Sequence, residues 1–236
     1  MPLPTPTPTI VLVHGAFADS GSWTEVATTL AGEGYAVVAV ANPLRDLEGD
    51  AAYVGSVLAT IEGPVVLVGH SYAGSVITRA AADADAVTAL VYVAAFIPRP
   101  GESSGGLNGM FPGSLLTPEN LVVRPTADGR TDLSIAADRF GAVYAGGLDA
   151  ARIAADALAQ RPITAEALGG ELTAAPSRAI PSWQVVATED NAVPTALQRF
   201  VAERAGATVL EAATGHNVAA AAPHVVIEAV RAAASA

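Results

Sequence analysis

Gly69-His70-Ser71-Tyr72-Ala73-Gly74 directly follows the apolar run Val65-Val66-Leu67-Val68. The run is β-rich and the residues after Ser71 carry helical spacing, so the serine sits where a strand turns into a helix. A turn this tight forces its central residue into strained backbone geometry and lifts the side chain clear of the chain. Small residues two before and two after it, here Gly69 and Ala73, keep the neighbouring backbone from clashing. Ala73 stands where glycine is more usual, a mild departure. Ser71 is therefore read as a presented nucleophile, and such a serine needs a base, an acid and an oxyanion site from elsewhere in the chain.

The same alternation of strand and helix runs outward in both directions. Thr9–His14, Tyr35–Ala41, Pro64–Val68 and Val87–Phe96 are strand candidates. Trp23–Glu33 has helical spacing, with Trp23, Val26, Ala27 and Leu30 on one face and Gly32 and Gly34 as stop signals. Asp50–Ile61 is a second helix, with Asp50 as its expected cap, and the helix after Ser71 is expected to reach about Ala82. Apolar strands separated by helices predict a parallel sheet covered on both sides.

From Pro98 the rhythm breaks. Residues 98–180 are rich in Gly, Pro, Ser and Thr, hold helix candidates near Thr131–Val143 and Asp149–Gln160, and offer no convincing strand. The rhythm returns with Trp183–Thr188, Pro194–Ala205, Ala207–Glu211 and a final helix Ala219–Ala234. An interruption of about eighty residues is too long for a plain loop. It predicts a helical cap over the strand ends. The chain then divides into a first core segment (residues 1–97), a cap (residues 98–180) and a second core segment (residues 181–236).

The base should be a histidine on a loop at the carboxyl edge of the sheet. His216, in Thr214-Gly215-His216-Asn217 between the last strand and the last helix, fits that position. His14 ends the first strand and is read as a hydrogen-bonded structural histidine, with bracing of the loop after it as its alternative role. His70 lies inside the turn, with its side chain directed away from that of Ser71, and His224 belongs to the last helix. An imidazole base needs a carboxylate to fix its tautomer. Asp190 follows the strand Trp183–Thr188 and is assigned that role, with Glu189 as competitor. The backbone N–H groups of Ala16 and Tyr72 are the expected oxyanion donors, and Gly15 lets the first loop bend close. Phe17, Met110, Phe111, Phe140 and Tyr144 are the candidates for substrate contact, with Leu115 and Leu116 behind them; for the cap residues, packing of the cap itself is the preferred reading and substrate contact the second. Arg124 and Arg139 are read as solvated, with a substrate carboxylate as their alternative partner.

Composition narrows the chemistry. Of 236 residues, 51% are apolar and 15% charged, which disfavours disorder. The net charge of −11 disfavours nucleic acid and anionic membranes as partners. The chain has no cysteine, which excludes disulfides, thiolate catalysis and cysteine-held metals. All twelve basic residues are arginine, which excludes chemistry on a lysine amine. MPLPTPTPTI lacks the basic and apolar regions of a signal peptide and is expected to be a short extended tail. The expected setting is cytoplasmic, with no cofactor and no metal, as a monomer or homodimer acting on a small molecule.

The stretches VLVHGAF at 11–17, GHSYAG at 69–74, LVYVAAFIP at 90–98, ATEDNAVP at 187–194 and TGH at 214–216 together resemble the α/β-hydrolase superfamily. The likeness is to its compact branch of bacterial carboxylesterases, plant methyl-ester esterases and plant hydroxynitrile lyases. It implies a three-layer α/β fold with a mainly parallel sheet of about six strands. It also implies Ser71 as nucleophile, His216 as base, Asp190 as orienting acid, and Ala16 and Tyr72 as oxyanion donors. Hydroxynitrile lyases of this branch carry lysine directly after the catalytic histidine and a threonine near the first strand. Here those positions are Asn217 and Gly15, and both departures favour a carboxylesterase. Lyase, perhydrolase or biosynthetic chemistry, and a non-catalytic ligand receptor, are the alternatives.

Overall fold

The structure is a computed structural model and describes residues 7–236. The first six residues of the expected Pro-Thr tail lie outside the described ones. The first half of the chain runs β1 (Thr9–Val13), α1 (Thr24–Gly32), β2 (Val37–Val40), α2 (Leu47–Leu58), β3 (Val65–His70), α3 (Ala73–Ala81) and β4 (Val87–Val93). The middle segment holds α4 (Ser104–Asn108), β5 (Leu121–Pro125), β6 (Thr131–Ile135), α5 (Phe140–Val143), α6 (Ala150–Leu158), β7 (Ile163–Thr164) and α7 (Ala165–Gly169). The chain closes with β8 (Ser182–Ala187), α8 (Thr195–Ala205), β9 (Thr208–Ala212), α9 (Val218–Ala221) and α10 (Pro223–Ala234).

Six parallel strands form the main sheet in the order β2-β1-β3-β4-β8-β9. Strand side chains alternate between two cores. Val11, Val13, Leu67, Leu90 and Tyr92 pack with α2, α3, α8 and the cap. Ile10, Leu12, Val66, Val68 and Val91 pack with Trp23 and the α1 and α10 helices. A strand buried on both faces must be apolar along its length, and the runs Ile10–Val13 and Val65–Val68 are of that kind. Because the strands are parallel, their carboxyl ends share one edge, and the loops at that edge build the site.

Four expectations need correction. The segment between β4 and β8 is not only helical: β5, β6 and β7 form an antiparallel three-stranded sheet. The candidate helix Thr131–Val143 is strand over its first five residues and helix only at Phe140–Val143. The β5–β6 turn contains Asp128-Gly129, with Gly129 at φ +82°, and this pair is a hairpin signal. The cap of α2 is Asp46, whose extended backbone lets its side chain accept from Gly49 N at 2.7 Å. Asp50 lies inside the helix and is fully buried. The last helix is broken before Pro223, which lacks the N–H that a continuous helix would need.

Candidate active site

β3 ends at His70 and α3 starts at Ala73, so Ser71 and Tyr72 make the whole turn. Ser71 has φ +56°, a left-handed conformation that costs a side-chain-bearing residue about 1–2 kcal/mol. Its N–H donates to Val93 O at 3.0 Å, and its carbonyl accepts from Gly74 N at 2.9 Å. These bonds, on β4 and on the first turn of α3, hold the strained residue in place. A Cβ on Gly69 would sit 2.7 Å from Ala73 O, so the turn closes because position 69 has none.

His216 lies between β9 and α9 and is almost fully buried. Its Nδ1 is 2.7 Å from Asp190 Oδ2. A carboxylate only accepts, so Nδ1 is the protonated nitrogen and Nε2 carries the lone pair. Asp190 is held as firmly as the histidine. Its Oδ1 accepts from Ala192 N at 2.7 Å and Val193 N at 2.9 Å, and its Oδ2 also accepts from Gln198 Nε2 at 2.8 Å. Gln198 is fully buried, and its own Oε1 accepts from Ala187 N at 2.9 Å. Glu189, the competitor, takes no part in these contacts.

His70 is buried and packs against His216, with ring centroids 4.6 Å apart. Its Nε2 donates to His216 O at 2.9 Å, fixing the backbone of that histidine. Burial and the neighbouring imidazoles of His216 and His14 push its pKa well below the ordinary value, so it stays neutral. Tyr144 packs edge-on against His216 with ring centroids 5.0 Å apart, and stacks on Phe140.

The loop after β1 approaches the turn closely. A Cβ on Gly15 would lie 2.6 Å from His70 O and 2.8 Å from Ser71 Cβ. Phe17, two residues on, adopts φ +61°. Asn42 Nδ2 donates to His14 O at 3.0 Å and pins the loop from below. His14 braces it from within through Nδ1, which donates to Gly15 O at 2.9 Å. Among the described residues, the N–H groups of Ala16 and Tyr72 donate to no protein acceptor. Both residues line the same cavity as Ser71 and His216. One free donor at the start of α3 and a second on the loop after β1, both in the cavity of Ser71, are suited to a negative charge.

That cavity measures about 400 Å³. The loops at the main sheet's edge supply Ala16, Phe17, Phe96 and Ala192; the segment between β4 and β8 supplies Ser104, Asn108, Phe111, Leu116, Leu121 and Leu168. No Arg, Asp or Glu lines it. Of the expected contact residues, Phe17 and Phe111 line it and the other three do not. Met110 is 59% exposed on the outside of the cap. Phe140 and Tyr144 are buried and border a separate small cleft with Arg152 and Asp156, so they support His216 from behind. Leu116 lines the cavity, whereas Leu115 is partly exposed outside it. Arg124 and Arg139 are exposed away from it. Gln198, Asn42 and Ser104 went unnoticed in the sequence; of these only Gln198 carried a signal, as a polar residue on the apolar face of its helix. Among the described residues, no group of three or more His, Asp or Glu side chains gathers as metal ligands.

The fold and the turn are those of a hydrolase family, and the chain belongs to it. The alpha/beta hydrolase family model matches residues 10–229. Among solved structures, a pyrethroid hydrolase from Sphingobium faniae is 24% identical, with 97% of this chain and 98% of that one covered and a TM-score of 0.75. Polyneuridine aldehyde esterase is 18% identical, covering 96% and 99%, with a TM-score of 0.82. A methylesterase from Arabidopsis is likewise 18% identical, covering 97% and 99%, at 0.81. At these identities the likeness establishes the fold. No curated protein sequence matches the chain.

Proposed function

We propose that this hydrolase cleaves carboxylic esters of small to medium apolar molecules through an acyl-enzyme on Ser71. The observation that carries the proposal is the meeting of four features in one cavity: a strained serine, an imidazole with its Nδ1 proton held by a carboxylate, and two free N–H groups. His216 Nε2 takes the proton of Ser71 as Oγ attacks the ester carbonyl. The oxyanion of the tetrahedral intermediate accepts from Ala16 N–H and Tyr72 N–H. His216 then protonates the leaving alcohol. Water, deprotonated by the same nitrogen, releases the acid and restores the serine.

The lining supports the substrate class. Uncharged and largely apolar walls favour neutral acyl and alcohol groups, because a charge there would lose hydration without a partner. The solved hydrolases and esterases of the same fold are consistent with ester chemistry. Asn217, directly after the base, turns its Nδ2 to Asp156 Oδ2 at 3.0 Å and does not line the cavity. It therefore offers no cation for a cyanide leaving group, which disfavours the lyase alternative. The test is hydrolysis of p-nitrophenyl esters of increasing acyl length by wild type and Ser71→Ala. Turnover by the wild type that disappears in the variant supports the proposal; equal turnover by both contradicts it.

A further inference from the structure

Asp50 is a carboxyl group in the wrong place for a surface residue. It is fully buried in α2, and among the described residues no arginine or histidine pairs with it. Burial without a cation raises its pKa. An acid left in such surroundings is costly, so its two contacts are informative. Oδ2 accepts from the phenol of Tyr72 at 2.9 Å, and Oδ1 accepts from Arg45 N at 3.0 Å.

Both contacts lead to parts of the site. Tyr72 follows the nucleophile directly, and its own N–H opens on the cavity. Its side chain is fully buried, so the bond from its phenol to Asp50 fixes the residue from the far end. Arg45 belongs to the segment 44–46 that the cap holds. Arg45 Nη1 meets Asp132 at 2.8 Å and Nη2 donates to Pro162 O at 3.0 Å. Arg45 O accepts from Thr164 Oγ1 and from Arg130 Nη1, and Leu44 O accepts from Thr164 N at 3.1 Å. Leu44 itself is strained, at φ +62°. The cap sheet, the segment 44–46, Asp50 and Tyr72 thus form one continuous set of bonds ending at an N–H beside Ser71.

We infer that Asp50 is a positioning residue for the reaction: through the Tyr72 phenol it holds the Tyr72 N–H on the oxyanion, and through Arg45 it couples that aim to the seating of the cap. The inference rests on the proposed ester hydrolysis at Ser71. An oxyanion donor contributes only when it points at the place where charge develops, so a small rotation of residue 72 weakens the transition state more than the ground state. Asp50 touches neither substrate nor the reacting atoms.

The test uses three variants with p-nitrophenyl esters and a trifluoromethyl ketone, whose hydrate-like adduct with a serine places an oxyanion in the same hole. Tyr72→Phe removes only the hydroxyl. It is expected to lower kcat about tenfold, less than loss of a whole donor. KM should stay within about twofold, and the ketone should weaken by the same factor as kcat/KM. Asp50→Leu should do the same, and joining it to Tyr72→Phe should add little, since both break one link. Asp50→Asn, which can face Tyr72 and Arg45 with one polar atom each, should restore most of kcat. If Asp50→Leu does not fold, the Tyr72→Phe and Asp50→Asn pair decides the matter. Unchanged kcat and ketone affinity in Tyr72→Phe would overturn the inference, as would a loss confined to KM or to thermal stability. Ser71→Ala run alongside separates the cases: an active Ser71→Ala sinks the ester-hydrolysis reading itself, whereas an inactive one beside a fully active Tyr72→Phe sinks only the role of Asp50.

Discussion

His216 Nδ1 and Asp190 Oδ2 lie 2.7 Å apart, and the same carboxylate oxygen also accepts from Gln198 Nε2. Two donors on one oxygen, and two backbone N–H groups on the other, leave Asp190 no freedom to turn. The orientation of the His216 imidazole therefore depends on a carboxylate that four donors fix.

Asp190→Asn keeps the shape of that side chain but presents an amide where Nδ1–H needs an acceptor. It is expected to reduce kcat by roughly 10²–10⁴ with little change in KM. Gln198→Leu leaves Ala187 N–H and Asp190 each short of one partner. It should cost about 1–3 kcal/mol of stability and lower kcat by about tenfold. Urea melts and steady-state kinetics on both variants check the order; a Gln198→Leu enzyme as stable and as fast as wild type contradicts it.

Gly15→Ala tests the approach of the first loop. The added Cβ meets backbone, at 2.6 Å from His70 O, so the loop must move away from Ser71. Displacing the Ala16 donor should cost about 10²–10³ in kcat, while circular dichroism stays that of the native sheet. Native activity in this variant would mean that Ala16 is not a donor.

Phe111 lines the cavity and packs against Phe200, with ring centroids 5.5 Å apart. Phe111→Ala opens the cap side of the pocket. The kcat/KM ratio of an eight-carbon to a four-carbon acyl ester should rise by about tenfold. An unchanged ratio would place the acyl chain elsewhere.

His14 links the site to acid stability. Burial, the largest cause, lowers its pKa from 6.5 to about 4; Arg161 acts in the same direction, and the bond to Gly15 and the charge of Asp19 oppose it. The folded protein keeps His14 neutral while the unfolded chain takes up a proton below pH 6.5. Stability therefore falls as pH drops from 6.5 towards 4, by about 3 kcal/mol for this group. His70, which burial also pushes well below the ordinary value, adds to the same slope. In His14→Asn, stability between pH 6.5 and 4.5 should fall less steeply, by up to one proton's worth. Equal slopes in variant and wild type, measured by urea unfolding at each pH, would contradict the assignment.

Much of this arrangement was legible in the sequence because the core strands are buried on both faces and the turn demands small residues. β1 is apolar from Ile10 to Val13, β3 from Val65 to Val68 and β4 from Ala89 to Val91, with only Thr88 of β4 turned to solvent, and Gly69 is imposed by a contact that any side chain would break. The cap was harder because its strands are half-solvated. Val122 and Val123 of β5 are partly exposed, so no burial pattern marks them; only Asp128-Gly129 betrays the hairpin. Phe140 and Tyr144 look like pocket residues by type, yet they pack behind His216, and spacing along a chain does not tell the front of a histidine from its back. Asp50 is the expected cap of α2 and Asp46 the actual one for a similar reason. Both are acids at the start of one helix, and only the backbone angles decide which one caps it and which one turns inward to Tyr72.

The most direct test of the central claim is the mass of the enzyme during turnover. Acid-quenching the wild type a few milliseconds after mixing with p-nitrophenyl butyrate, followed by peptide mapping, should find a butyryl group on the peptide that contains Ser71 and none in Ser71→Ala. A wild type that turns over the ester with no acyl adduct, or with the adduct on another residue, would contradict the account.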